Sequence, residues 1–166
     1  MAEIKREAGD KTKGFTLQKQ RAISLFFDEV KSNPKTNVNV AIEHKGDVYL
    51  QNEQSGYIEE QKNFNEEKAF SFNSHQILNT LAYFLEIWLA EGKSQNIKFG
   101  FYSTSKIAKE NNTEKIKSLG IKLPDEGVLK LIANKKFSED SLLGSVKKYL
   151  VNEYSDQYKD DISAKL

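Results

Sequence analysis

Gly46-Asp-Val-Tyr-Leu-Gln-Asn-Glu-Gln-Ser-Gly-Tyr-Ile-Glu-Glu-Gln-Lys62 decides how this chain folds. Residues 47–51 and 57–64 alternate in polarity and are rich in branched and aromatic side chains, which favours strands. Ser55-Gly56 between them is a turn signal. Upstream, 38–43 alternates in the same way, and Lys45-Gly46 turns the chain back. Three strands joined by short turns imply an antiparallel meander.

Outward from the meander the period changes. Phe15, Leu17, Ala22, Ile23, Leu25, Phe26 and Val30 recur near every 3.6 residues, so a helix opens at Gly14 and stops at Asn33-Pro34. Residues 1–13 read as a separate polar N-terminal segment. On the other side, Ser74 is a good N-cap. Ile77, Leu78, Leu81, Phe84, Leu85, Trp88 and Leu89 then form a wide apolar stripe that Gly92 ends. Residues 96–102 alternate as a fourth strand reached through a crossover. The part from 106 to 166 reads as helical. The expectation is a mixed α/β fold, a central mixed sheet with flanking helices, in one domain over 14–166 with its core at about 14–105.

The whole chain narrows the function. It has 166 residues, 25 basic against 24 acidic, and a net charge of +1. A protein that coats nucleic acid by bulk charge is far more basic. With no cysteine, thiolate metal sites, thiol nucleophiles and disulfides are excluded. The N-terminus is charged and does not read as a secretory signal. Residues 77–90 are too short and too polar to span a bilayer. The expected setting is the cytoplasm, away from membranes. The two histidines, His44 and His75, lie on different elements, which argues against a histidine metal site or triad.

Chemistry concentrates in the meander. Residues i and i+2 of a strand share a face, so Glu60 and Lys62 project together, about 6.5–7 Å apart along it. Ile58 and Phe64 lie on that face, which is therefore expected to be the better covered one. Glu59 would replace Glu60 if a bulge intervened. Asp47 begins the preceding strand, and antiparallel pairing brings it alongside. Two carboxylates hold Mg²⁺, a hard cation that prefers oxygen, with Mn²⁺ as a substitute. The cation acidifies a water and stabilises charge on a phosphate, while a lysine orients the water or neutralises the phosphorane. Three solvated charges paired across hairpin strands are the alternative reading.

This order of elements, with Asp47 and Glu60-Gln61-Lys62 on the meander, resembles the core of the PD-(D/E)XK, or restriction-endonuclease-like, nuclease superfamily. Arg6-Glu-Ala-Gly9 followed by Gly14-Phe15 and Gln18 is similar to the opening of N-terminal DNA endonuclease domains of bacterial anti-phage effectors, including those of CBASS systems. Glu43, Asp47 and Glu60-Gln61-Lys62 match the acidic and lysine positions of such domains, and 99–104 matches their later strand. The resemblance covers about residues 6–105. It implies a metal-dependent deoxyribonuclease in antiviral defence, with Asp47, Glu60 and Glu43 toward metal, Lys62 toward water or phosphate, and Gln18 reaching in from the first helix. Related domains are fused to a sensor or NTPase, absent here, so a separate or fused regulator is expected. Double-strand cutting favours a homo-oligomer.

Lys106 and Lys109, with Lys115 and Lys117, follow the fourth strand and are candidates for phosphate contacts on DNA. Lys135, Lys136, Lys147 and Lys148 extend that set. A solvated lysine-rich face competes with this reading. The alternative function is a non-catalytic nucleic-acid- or protein-binding module with a nuclease-like fold.

Overall fold

A computed structural model describes residues 2–62, 69–111, 114–134, 144 and 147–152, with the side chains of 2–13 and 115 outside the description. In chain order the elements are α1 (Ala2–Ser32), β1 (Asn39–Ile42), β2 (Val48–Gln51), β3 (Gly56–Lys62), β4 (Ala69–Phe70), α2 (His75–Ala90), β5 (Ile97–Ser103), β6 (Lys106–Ile107), α3 (Glu114–Ser118) and α4 (Val128–Ala133). The fold is mixed α/β.

The chain divides into two compact units. The first comprises Met1–Asn65 and Tyr83–Thr104, the second Glu66–Ala82 and Ser105–Leu166. The connection from β3 to β5 leaves the first unit, contributes to the second and returns along α2. A stretch that reads locally as a crossover therefore also serves another core.

In the first unit the sheet has the order β1-β2-β3-β5. β1, β2 and β3 are antiparallel neighbours, with Ile42 opposite Val48 and Val48 opposite Glu59. β5 joins parallel to β3, from Gly56 opposite Ile97 to Lys62 opposite Ser103. β3 thus has a strand on both sides, and Val48, Leu50 and Ile58 are buried. Two turns set the meander. Glu43 (φ 55°) and Gly46 (φ 136°) close β1–β2, with the Glu43 N–H donating to Asp47 O at 3.2 Å. Only glycine fits at position 46: the positive φ disfavours a side chain, and a Cβ would lie 2.9 Å from Ile58 Cγ2. The β2–β3 turn is built by Asn52, whose Oδ1 accepts from the N–H groups of Gln54 and Ser55 at 2.8 and 2.7 Å. That turn is complete at Ser55, so Gly56 already belongs to β3.

The helix expected to open at Gly14 begins at Ala2. Residues 2–8 are good helix formers, and Gly9 and Gly14 each weaken the helix by only about 1 kcal/mol relative to alanine. A long helix tolerates that, so the polar segment 1–13 is mostly its first turns. Ala22 of α1 is buried in the first unit. α2 starts after Ser74, whose carbonyl accepts from Leu78 N at 3.0 Å. It ends at Gly92 (φ 65°), with Lys93 N–H donating to Trp88 O at 2.8 Å. Phe84 packs on Phe99 of β5, with ring centroids 4.9 Å apart.

Among the described residues from 106 onward, helix covers 114–118, 128–133, 144 and 147–152, and the stretch opens with a short strand. β4 and β6 form a two-residue parallel ladder. The core of the second unit includes Phe72, Ile77, Ile116, Val128 and Tyr149. Glu110, 4% exposed, organises the loops. It accepts from the N–H groups of Phe72, Val128 and Leu129 at 2.9, 2.8 and 3.2 Å. No helix among the described residues is long and apolar enough to cross a membrane.

Gly100 of β5 lies beside Glu59 in the parallel register, and the Tyr57 phenol covers it so closely that a Cβ there would collide with Tyr57 Oη. Gly100→Ala is expected to lower stability by about 1–3 kcal/mol. The measurement is a fall in urea midpoint with little change in m-value.

Candidate functional site

β3 carries two polar faces, set by its period of two. Tyr57, Glu59 and Gln61 project to one side, Ile58, Glu60 and Lys62 to the other. There is no bulge, because the register with β5 is continuous from Gly56 to Lys62. Glu59 therefore does not replace Glu60. Both faces are covered, contrary to the expectation that the Ile58 face is the better covered. Glu59 is in fact the most buried carboxylate described, at 1% exposure. Phe64 lies outside the described residues.

On the first face Arg21 of α1 grips Glu59. Its Nε donates to both carboxylate oxygens at 3.1 and 3.2 Å, and its Nη2 to Oε2 at 3.1 Å. Tyr57 Oη donates to Oε2 at 2.8 Å and Gln61 Nε2 to Oε1 at 3.0 Å. The Arg21 guanidinium also lies 4.6 Å from the centre of the Tyr102 ring. Burial, then the adjacent Glu59 charge, raises the Tyr57 phenol above its ordinary pKa, so it stays a hydrogen donor. Burying a carboxylate is unfavourable unless it is paired and hydrogen-bonded, and here it is both.

On the second face Lys62 Nζ lies 3.1 Å from Glu60 Oε2. Asp47, just before β2, bridges the two faces. Its Oδ1 accepts from Gln18 Nε2 at 2.6 Å and its Oδ2 from the Gln61 main-chain N–H at 2.6 Å. It also lies near Glu60, whose carboxyl it influences. Glu60 is raised above the ordinary glutamate pKa by burial and then by the Asp47 charge, with Lys62 opposing. Tyr83 of α2 borders the same group. Its phenol is raised by burial, then by Glu60, Glu86 and Asp47.

Four of the residues singled out from the sequence thus meet: Gln18, Asp47, Glu60 and Lys62. Glu43 does not join them, being exposed in the β1–β2 turn and linked to Asp47 only through main-chain atoms. Lys106 and Lys109 are exposed and belong to the second unit. Lys109 lines a cavity of about 450 Å³ there, with Lys117, Lys122, Glu110 and Asp125 among its walls. Lys135 and Lys136 lie outside the described residues. The sequence reading missed Arg21 and Tyr83, gave Glu59 only as a stand-in for Glu60, and gave Tyr57 no role. Only the uninterrupted run Glu59-Glu60-Gln61-Lys62 hinted that both faces of β3 are polar.

The donor set suits a hard divalent cation. It consists of oxygen alone. Asp47 and Glu60 are close enough for one charge to hinder ionisation of the other, which a cation would relieve. Gln18 Oε1 and Gln61 Oε1 are buried and have no hydrogen-bond partner among the described residues. Among those residues no group of three or more histidine, aspartate or glutamate side chains is arranged to hold a metal ion. Two carboxylates with the remaining positions left to water fit Mg²⁺ better than Ca²⁺, which takes more protein ligands. No family model, curated protein or solved structure matches this chain.

Because folding raises the Glu60 pKa, its ionised form is disfavoured in the folded state. The resulting loss of stability is absent below the unfolded value of about 4.3. It sets in as pH rises through that value and is complete above the folded one. Glu60→Gln is therefore expected to gain stability relative to wild type between pH 4 and pH 8 in metal-free buffer, measured as the difference in urea midpoints. Arg21→Ala strands the Glu59 charge and is expected to destabilise by about 2–3 kcal/mol. That is less than for a fully buried pair, because Arg21 is 27% exposed. Denaturation at pH 7 measures it.

Proposed function

We propose that this chain is a Mg²⁺-dependent DNA endonuclease of the restriction-endonuclease-like kind. The observation that carries the reading is the meeting of Asp47, Glu60 and Lys62 at one end of the β2–β3 hairpin, with Gln18 fastened to Asp47. Asp47 and Glu60 would hold the cation. When bound, it would acidify a water and offset charge on the scissile phosphate. Gln18 and the Gln61 main-chain N–H keep the Asp47 carboxylate oriented. Lys62, tethered to Glu60, presents an ammonium to the attacking water or to the negative charge developing on phosphate. Mn²⁺ would substitute for Mg²⁺. An anti-phage setting, a homo-oligomer for double-strand cutting and control by a sensor or NTPase partner accompany this reading, on the resemblance of the sequence.

One observation favours a second reading. Both Asp47 oxygens already accept hydrogen bonds and Glu60 is paired with Lys62, so the cluster is partly self-neutralised. A non-catalytic binding module would need nothing more of these charges.

Supercoiled plasmid separates the two. With Mg²⁺, nicking or degradation is expected, abolished by EDTA and slowed about 10²–10³-fold by Lys62→Ala. Plasmid and RNA left intact by folded protein at every concentration would overturn the nuclease and leave the binding module.

A further inference from the structure

Two buried acceptors remain after the hydrogen bonds around Asp47 are assigned. Gln18 Oε1 and Gln61 Oε1 have no partner among the described residues, and Gln61 is 7% exposed. A buried acceptor without a donor is unfavourable, and native proteins rarely carry one without a reason. Here there are two, on residues that both hydrogen-bond to Asp47. Gln18 and Arg21 lie about one turn apart on α1, and each reaches the sheet, Gln18 to Asp47 and Arg21 to Glu59. Gln61 touches both targets, Asp47 through its main-chain N–H and Glu59 through Nε2. Each amide nitrogen is thus committed to a carboxylate, which fixes its oxygen as an acceptor. Both residues hydrogen-bond to Asp47, Gln18 through its side-chain nitrogen and Gln61 through its main-chain N–H.

A charge count points the same way. Asp47, Glu59 and Glu60 stand against Arg21 and Lys62 in this connected network. One negative charge is left over, at a place offering neutral oxygens.

We propose that the side-chain carbonyls of Gln18 and Gln61 accept hydrogen bonds from water ligands of a divalent cation held at Asp47. This rests on the metal-dependent reading above and adds the residues that orient the hydrated ion. Mg²⁺ sheds water reluctantly, and its polarised waters need acceptors, which a carboxylate pair alone does not supply. Outer groups of this sort are commonly worth 10–100-fold in metal affinity. Gln61 thereby has a role that its place between Glu60 and Lys62 does not announce.

The test is a titration of the full chain with Mn²⁺, following the electron paramagnetic resonance signal of the free ion. Gln61→Met keeps the main-chain N–H on Asp47 and removes the acceptor. It is expected to weaken Mn²⁺ binding about 10–100-fold. Gln18→Met, on a different element, provides a second measurement should the first variant fold poorly, as judged by its circular dichroism in EDTA. Folded variants that bind Mn²⁺ as tightly as wild type overturn the inference and leave the metal site standing. Wild-type protein that takes up no Mn²⁺ overturns both.

Discussion

Everything in the first unit is arranged around a carboxylate that water cannot reach. Glu59 sits on the central strand, at a position where a hydrocarbon side chain would be ordinary, and it is 1% exposed. An isolated charge there would not survive folding. Three different elements therefore converge on it: α1 through Arg21, β3 through Tyr57 and Gln61, and β5 by leaving room at Gly100. Once Arg21 is committed, the rotation of α1 about its axis is set, and Gln18, about one turn earlier, must point at the end of the sheet. The buried pair thus acts as a register device, which is the best-attested use of buried charges.

That arrangement also explains why the two faces of β3 differ chemically. On the Glu59 face the carboxylate is enclosed by hydrogen bonds from Arg21, Tyr57 and Gln61. The Glu60 face is only partly closed, and its lysine is a third exposed. A strand that carries one carboxylate to each side can use one for architecture and leave the other available for binding. Asp47 joins the two, because it is held by Gln18 and Gln61 while its charge acts on Glu60.

Much of the local order was readable because it depends on near neighbours. The meander follows from alternation and from Gly46, and the shared face of Glu60 and Lys62 follows from the i, i+2 rule. The end of α2 follows from Gly92, and α2 begins directly after Ser74, whose hydroxyl accepts from the Ser71 N–H at 3.0 Å. What could not be read depends on distant partners. Glu59 looks like one more surface charge until Arg21, 38 positions away, is brought to it, and no periodicity in either segment encodes that meeting. The beginning of α1 was misplaced because two glycines within a good helix-forming stretch resemble a boundary. The short β4–β6 ladder has too few residues to show any period.

The route from β3 to β5 bears on how the chain folds. β3 meets β2 through a short turn, whereas its other edge pairs with residues 97–103, far along the chain. Contacts between near neighbours form more readily than those that close a long loop. The folding chain therefore shows an open side of β3 until β5 arrives. An unpaired strand edge is an invitation to pair with another chain. In a second copy of the strand laid alongside in register, Glu59 and Glu60 would face their own like charges, which disfavours the pairing. Acidic residues that serve the folded protein thus also discourage self-association while it forms.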